Sequence, residues 1–108
     1  MTVMYLDFDP EDGVTDTSLK NARRLIDKHG APISITLDVV KTNFGTAQQV
    51  IATFKTDRSI YTHVFNGFSW GYRGEGPHGL QKFLKWSNIN VQIDWIASWD
   101  AGKGRDIK

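Results

Sequence analysis

The run from Asn66 to Leu80 combines residue types that could bind an anion. It holds five of the ten glycines of the chain, and Gly74, Gly76 and Pro77 lead into a predicted helix. The first amides of a helix have no intrahelical partner, and the helix dipole favours negative charge at that end. Glycine also lets a ligand approach the backbone closely. The run therefore predicts an anion-binding helix N-terminus.

Aromatic and basic side chains in and around this run could complete the site. Trp70 and Tyr72 offer flat faces on which a base or another ring could stack. Basic side chains at Arg73, His78 and Lys82, with Arg58 from a preceding turn, could add positive charge. We expect a nucleotide-like site with a phosphate on the helix N-terminus. Its residues are Trp70, Tyr72, Arg73, Gly74, Gly76, His78, Lys82 and Arg58.

The same run also has a purely structural interpretation. Its glycines could fix a tight crossing of the chain while its aromatic residues fill the core. The run lacks the lysine and Ser/Thr that follow the last glycine of a phosphate-binding loop, and its spacing differs from the dinucleotide fingerprint. Spacing alone leaves both interpretations open.

The segment from Asn66 to Leu80 resembles the signature of a small uncharacterised family found in bacteria and their phages. Its members carry a Gly-Phe-x-Trp-Gly-Tyr-x-Gly-x-Gly-Pro run followed by a leucine-bearing helix, and the match covers roughly a seventh of this chain. Arg73 and Glu75 stand where family members often have small residues. The resemblance implies no activity. It implies a mobile-element setting, in which small proteins often bind host proteins or immune signals.

Few residues have the spacing that catalysis or metal binding requires. The chain has no cysteine, and His29, His63 and His78 are scattered without metal-ligand spacing. The run 7–9, Asp-Phe-Asp, follows a hydrophobic strand as in haloacid-dehalogenase-like phosphatases, but the larger domain and later motifs of those enzymes have no room here. We therefore expect a solvated acidic turn there, and no catalytic residue, metal or cofactor.

Composition predicts one soluble domain over residues 1–108. The 108 residues are 40% hydrophobic and 23% charged, and the net charge of +1 argues against broad nucleic-acid binding. No apolar stretch approaches the roughly 20 residues that span a bilayer, and no signal-peptide pattern is present. We expect no membrane contact and a cytoplasmic location, in the host cell if the protein is phage-encoded. The basic tail 101–108 is predicted to fray.

Hydrophobic periodicity predicts the elements that position the run. Strands are expected at Val3–Phe8, Ile33–Val40, Gln48–Lys55, Ser59–Phe65 and Val91–Trp99, the third and fourth forming a hairpin. A first helix should begin near Asp16 or Thr17 and end before Gly30, and a second should cover Pro77–Ser87. The order β-α-β-β-β-α-β predicts an α+β fold: a mixed or mainly antiparallel sheet of about five strands, with two helices on one side.

Two functions follow from these patterns. The first is a non-enzymatic phage or mobile-element protein that binds and sequesters a small anionic, nucleotide-like ligand in an anti-defence role. The second is a protein-binding inhibitor of a host defence enzyme, acting through an exposed aromatic surface. A homodimer is also predicted, because Tyr61, His63 and Phe65 share one face of a strand that is apolar on both sides, and Ile96 lies on the polar side of the last strand.

Overall fold

The chain folds around one mixed five-stranded sheet in the computed structural model, which describes residues 2–108. In chain order the elements are β1 (Val3–Phe8), α1 (Thr15–His29), β2 (Ser34–Thr42), β3 (Gly45–Lys55), β4 (Ser59–Phe65), α2 (Glu75–Trp86), α3 (Ile93–Ser98) and β5 (Arg105–Asp106). The strand order is β1-β4-β3-β2-β5. β1 is parallel to β4, and the other neighbours are antiparallel. The predicted α+β class with a mixed sheet and a β3–β4 hairpin is confirmed.

One face of the sheet packs against α1 and α2. Strand alternation puts Ile35 and Leu37 of β2 on this face, while Thr36 between them stays half-buried on the other face. Fourteen buried side chains form the core: Ala22, Leu25, Ile35, Leu37, Val50, Ala52, Phe54, Phe65, Phe68, Trp70, Leu80, Phe83, Leu84 and Ile96. Burial of each large apolar side chain contributes about 2 kcal/mol, so this cluster is the main stabilising feature.

Both long helices begin slightly before the predicted residues. α1 begins at Thr15, after an extended Val14 that makes no side-chain cap, so the expected cap at Asp16 or Thr17 is wrong. Its end is as predicted, because Gly30 adopts φ 81° and donates its amide to the Ile26 carbonyl. α2 begins at Glu75, which places Pro77 at the third helical position instead of the first.

The predicted final strand over 91–99 is wrong, because residues 93–98 form helix α3. The alternation of apolar residues suggested a period of two. The buried residue is Ile96, which breaks that alternation, while Ile93 and Trp99 lie half-buried three residues to either side. Contact of Ile96 and Trp99 with the core outweighs the strand preference of the sequence.

The basic tail contributes to the sheet instead of fraying. Arg105 and Asp106 form β5, which pairs with Leu37 and Thr36 of β2, and Ile107 packs against the core. The fifth strand of the predicted sheet therefore exists, but it lies after α3. At the other hairpin, a tight turn joins β2 to β3, since Thr42 pairs directly with Gly45.

The surfaces that predicted a homodimer are covered. On the helix-facing side of β4, Tyr61 is half-buried against His29, whereas His63 and Phe65 are buried, His63 bonding to Asp9 and Phe65 packing against Phe83. Ile96 is fully buried in α3. The burial of His63, Phe65 and Ile96 therefore removes most of the apolar surface on which the homodimer was predicted, and the homodimer itself stays a prediction.

Two glycines of the run allow the chain to cross α1 closely. A Cβ atom at Gly67 would lie 2.4 Å from the Val14 carbonyl oxygen, and one at Gly79 would lie 2.4 Å from the Thr15 methyl carbon. Both distances are far inside van der Waals contact. Part of the glycine content therefore serves packing between the run, α2 and the start of α1.

Replacing Gly67 with alanine should destabilise the fold by about 1–3 kcal/mol, because the new methyl group meets a backbone carbonyl that cannot rotate away. Gly102→Ala is the matched control, since its Cβ would meet only a side-chain oxygen of Asp100 at 3.4 Å. Urea unfolding followed by circular dichroism measures both. Equal unfolding midpoints for the two variants would contradict the close crossing.

Candidate functional site

A groove of about 900 Å³ opens at one end of the sheet. The parallel strands β1 and β4 both end there, and α1 and α2 both begin beside it, at Thr15 and Glu75. Open sheets that contain parallel strands commonly bind ligands outside the carboxyl ends of those strands. We call this feature the sheet-end groove. Its lining residues are Phe8, Asp9, Glu11, Gly13, Thr15, Val40, Thr42, Phe44, Ala47, Gln48, Gln49, Asn66, Gly67, Phe68, Ser69, Tyr72, Glu75 and Gly76.

The first turn of α2 presents two backbone amides without a protein partner. His78 donates its amide to the Gly74 carbonyl at 3.2 Å, and Pro77 has no amide hydrogen. Within residues 2–108, the amides of Glu75 and Gly76 make no hydrogen bond, and no side chain caps this helix. Because both residues line the groove, the helix end offers donors there.

The side chains of the groove carry negative charge. Asp9, Glu11 and Glu75 line it, whereas no lysine, arginine or histidine does so among the described residues. Glu75 lies in the first turn of α2, where a carboxylate interacts favourably with the helix dipole and offsets its attraction for other anions. The walls therefore favour an uncharged or cationic group over an anion.

Exposed aromatic side chains form part of the groove walls. Phe8 and Tyr72 are about half exposed, and Phe44 at the tip of the β2–β3 hairpin is fully exposed. The Tyr72 hydroxyl lies 2.8 Å from the Ser69 hydroxyl, which fixes the ring beside the α2 N-terminus. By contrast, the Gln48 side chain donates to the Trp70 carbonyl and accepts from the Trp70 amide. Gln48 is therefore structural.

Of the eight predicted site residues, the structure brings only Tyr72 and Gly76 into the groove. Trp70 is fully buried and its indole nitrogen donates to the carbonyls of Asp100 and Lys103, so it cannot stack on a ligand. The expected stacking role of Trp70 is therefore wrong, and its role is to hold the C-terminal segment against the core.

The predicted basic residues do not converge on the groove. The Arg73 guanidinium pairs with Asp94 at the start of α3, and both side chains are mostly exposed. His78 and Lys82 are exposed on α2 outside the groove lining, and Gly74 is the residue that precedes the helix. Arg58 lies in the turn before β4, whereas the groove is at the far end of that strand.

Asp9 is the centre of a buried polar network that the sequence patterns did not reveal. Only 4% of Asp9 is exposed, and its carboxylate accepts hydrogen bonds from four donors. These are Asn21 Nδ2 at 2.7 Å, His63 Nε2 at 2.7 Å, the Asn66 amide at 3.0 Å and the Ser18 hydroxyl. The network joins the end of β1 to α1, to β4 and to the start of the glycine-rich run.

The hydrogen bonds keep the Asp9 carboxylate ionised. Burial acts to raise its pKa, but the bonds from His63, Ser18, Asn21 and the Asn66 amide outweigh burial, so the pKa lies below its ordinary value. The His63 Nε2 atom therefore carries a proton toward Asp9. Its Nδ1 atom is buried and makes no hydrogen bond with any of residues 2–108.

The proximity of Ser18, His63 and Asp9 does not form a nucleophilic triad. The Ser18 hydroxyl donates to Asp9, not to His63, and its oxygen accepts the Gly67 amide at 2.8 Å. A triad requires the histidine to take the serine proton. The three residues hold Gly67 against the start of α1, so their role is structural.

One sequence signal could have revealed this network. Ser18 and Asn21 occupy helical spacing on the same side of α1 as the buried Ala22 and Leu25. Polar residues on an apolar helix face need partners, and an aspartate directly after a hydrophobic strand is a suitable one. The expected solvated acidic turn is therefore wrong for Asp9, because its carboxylate is buried and paired.

Comparison with protein-family models, with curated proteins and with solved structures finds no match to this chain. The resemblance of Asn66–Leu80 to a phage-associated signature therefore stays a prediction. Within residues 2–108, no helix is both long and apolar enough to cross a membrane, and no group of three or more histidine, aspartate or glutamate side chains could hold a metal ion.

Replacing Asp9 with asparagine should destabilise the protein by about 2–4 kcal/mol, because a neutral amide cannot satisfy four donors and leaves buried groups unpaired. Asp57→Asn, at an exposed turn, is the matched control and should change stability little. Urea unfolding at neutral pH measures both variants. A loss below about 0.5 kcal/mol for Asp9→Asn would contradict a structural role for the network.

The same carboxylate should make the stability of the protein fall at acidic pH. Because the folded pKa of Asp9 lies below its ordinary value of 3.8, the unfolded chain takes up the proton first as pH falls. The stabilisation is present above the unfolded pKa and is lost as pH falls through the folded pKa. Urea midpoints measured from pH 7 down to about pH 2 should fall more steeply for the native chain than for Asp9→Asn. Parallel curves would contradict this assignment.

Proposed function

We propose that this protein is a non-enzymatic binding protein that holds a small planar ligand in the sheet-end groove. The observation that carries the proposal is the groove itself, about 900 Å³ in volume, at the point where two parallel strands end and two helices begin. Its volume falls in the range of pockets that bind small organic molecules.

The walls of the groove supply two kinds of contact. Phe8, Phe44 and Tyr72 present aromatic surface, which favours a flat ring such as a nucleobase. The unbonded amides of Glu75 and Gly76 supply hydrogen-bond donors in a fixed direction. A ring with carbonyl or ring-nitrogen acceptors can use both contacts together.

Charge selects among such ligands. With Asp9, Glu11 and Glu75 along the walls, a neutral or cationic ligand avoids repulsion that an anion meets. A nucleotide-like anion, the ligand predicted from the sequence, is supported by the two α2 amides and opposed by these carboxylates. We therefore propose a nucleoside-like ring as the recognised group, with any phosphate directed to solvent. Sequestration in a phage or anti-defence setting remains a hypothesis that rests on the sequence resemblance.

Calorimetric titration of four nucleosides, each against its own monophosphate, tests the proposal. We expect the nucleoside to bind at least as tightly as the monophosphate. Tyr72→Ala should weaken binding by about fivefold or more, because it removes a ring from the groove wall. Glu75→Gln should raise the affinity for the monophosphate, relative to that for the nucleoside, by about two- to fivefold, because it removes a negative charge beside the α2 amides.

Trp95→Ala is the control, since Trp95 is an exposed aromatic residue outside the groove. Absence of heat with every compound, or equal affinity of the Tyr72→Ala variant and the native chain, would overturn the proposed function. Equal weakening by Trp95→Ala would show that the contacts are not specific to the groove.

A second candidate function, binding and inhibition of another protein, is favoured by one observation. Phe44 is fully exposed at the tip of the β2–β3 hairpin, and aromatic side chains are common anchors in protein interfaces. Retention of a partner from a host lysate by the native chain, but not by Phe44→Ser, would support this candidate.

A further inference from the structure

All six residues of the edge strand β1 are exposed. β1 pairs with β4 along one side only, and its other side is the open edge of the sheet. Proteins commonly protect such edges with lysine, proline or a bulge, because an open edge can pair with another strand. β1 contains neither lysine nor proline.

The direction of the free backbone groups on β1 follows from its hydrogen bonds. Val3 donates its amide to the Arg58 carbonyl, and Asp9 donates to the Val64 carbonyl, so the odd-numbered residues face β4. The even-numbered residues Met4, Leu6 and Phe8 therefore direct their amides and carbonyls away from the sheet. Their side chains all lie on the sheet face opposite the helices and are more than half exposed.

These positions allow β1 to pair with a second copy of itself. In an antiparallel pair centred on Leu6, Leu6 lies opposite Leu6 of the other copy, and Met4 lies opposite Phe8. In this register the hydrogen bonds between the two copies are made by Met4, Leu6 and Phe8, whose backbone groups point away from β4. Centring the pair on Tyr5 or on Asp7 would give fewer hydrogen bonds.

Charge also favours the register centred on Leu6. Asp7 is the one charged residue between Met4 and Phe8, and this register places it opposite Tyr5 of the other copy. Centring on Asp7 would instead bring two carboxylates together, which is unfavourable. On the open face, methionine, leucine and phenylalanine side chains would form one continuous apolar row across the two copies.

We propose that β1 is a self-association surface, through which two copies of this chain join their sheets edge to edge as a twofold dimer. The Phe8 amide is satisfied in the single chain by the Asp7 carboxylate at 2.9 Å. In the dimer it exchanges that partner for the Met4 carbonyl of the second copy. Asp7 retains its hydrogen bond from the Tyr61 hydroxyl, so no group is left unpaired.

Sedimentation of the full chain over a range of concentrations tests the association. We expect a species of twice the 12.2 kDa chain mass at high concentration. Leu6→Lys should restore the single-chain mass, because lysine on an edge opposes pairing. Trp95→Lys, which removes an equally exposed apolar side chain from α3, should leave the dimer intact. Circular dichroism of each variant checks that the fold is retained.

Single-cysteine variants test the register, since the chain has no native cysteine. Leu6→Cys should form a disulfide-linked dimer on oxidation, because hydrogen-bonded partners in an antiparallel pair have Cα atoms about 5.5 Å apart. Tyr5→Cys should not, because its two copies would be offset by two residues. A single-chain mass at every concentration, or cross-linking of Tyr5→Cys but not Leu6→Cys, would overturn the proposal. So would loss of the dimer in Trp95→Lys alone.

Discussion

The buried carboxylate of Asp9 is the constraint on which the rest of the structure depends. It lies where β1 leaves the sheet, and its four hydrogen bonds come from α1, from β4 and from the backbone that follows β4. An ionised group of this kind is stable inside a protein only when each of its acceptor positions is used. The positions of α1 and of the glycine-rich run are therefore linked, and the floor of the groove is fixed by the same contacts that stabilise the fold.

The sequence predicted those elements whose local signals agree with their tertiary contacts. Val3–Phe8 and Ser59–Phe65 are strands with the predicted bounds, and Gly30 ends α1 as expected. The sequence-based prediction is wrong where a strand-like and a helical pattern of apolar residues compete. Between Val91 and Trp99 the strand-like alternation is stronger, but burial of Ile96 against the core selects a helix. Two residues of β5 carry too little local signal to be recognised, and the strand forms because β2 offers a free edge.

The candidate site was only partly predictable, for a related reason. The glycine-rich run does contribute to the groove through Tyr72 and Gly76, and the α2 amides near them are unbonded, as the sequence suggested. The direction of long side chains is set by partners remote in sequence, however. Arg73 pairs with Asp94, and Trp70 bonds to carbonyls thirty residues further along the chain. Two of the three groove carboxylates, those of Asp9 and Glu11, come from the β1–α1 connection, which no local pattern places beside α2.

The contrast between two of the four tryptophans has a spectroscopic consequence. Trp70 is enclosed by the core with its indole nitrogen bonded to backbone carbonyls, whereas Trp95 is mostly in contact with water. Detachment of the C-terminal segment would remove those carbonyls and hydrate the Trp70 ring, shifting its emission to longer wavelength, while the emission of Trp95 would stay nearly constant. The emission of Trp70 therefore reports whether that segment is attached to the core, without any added label.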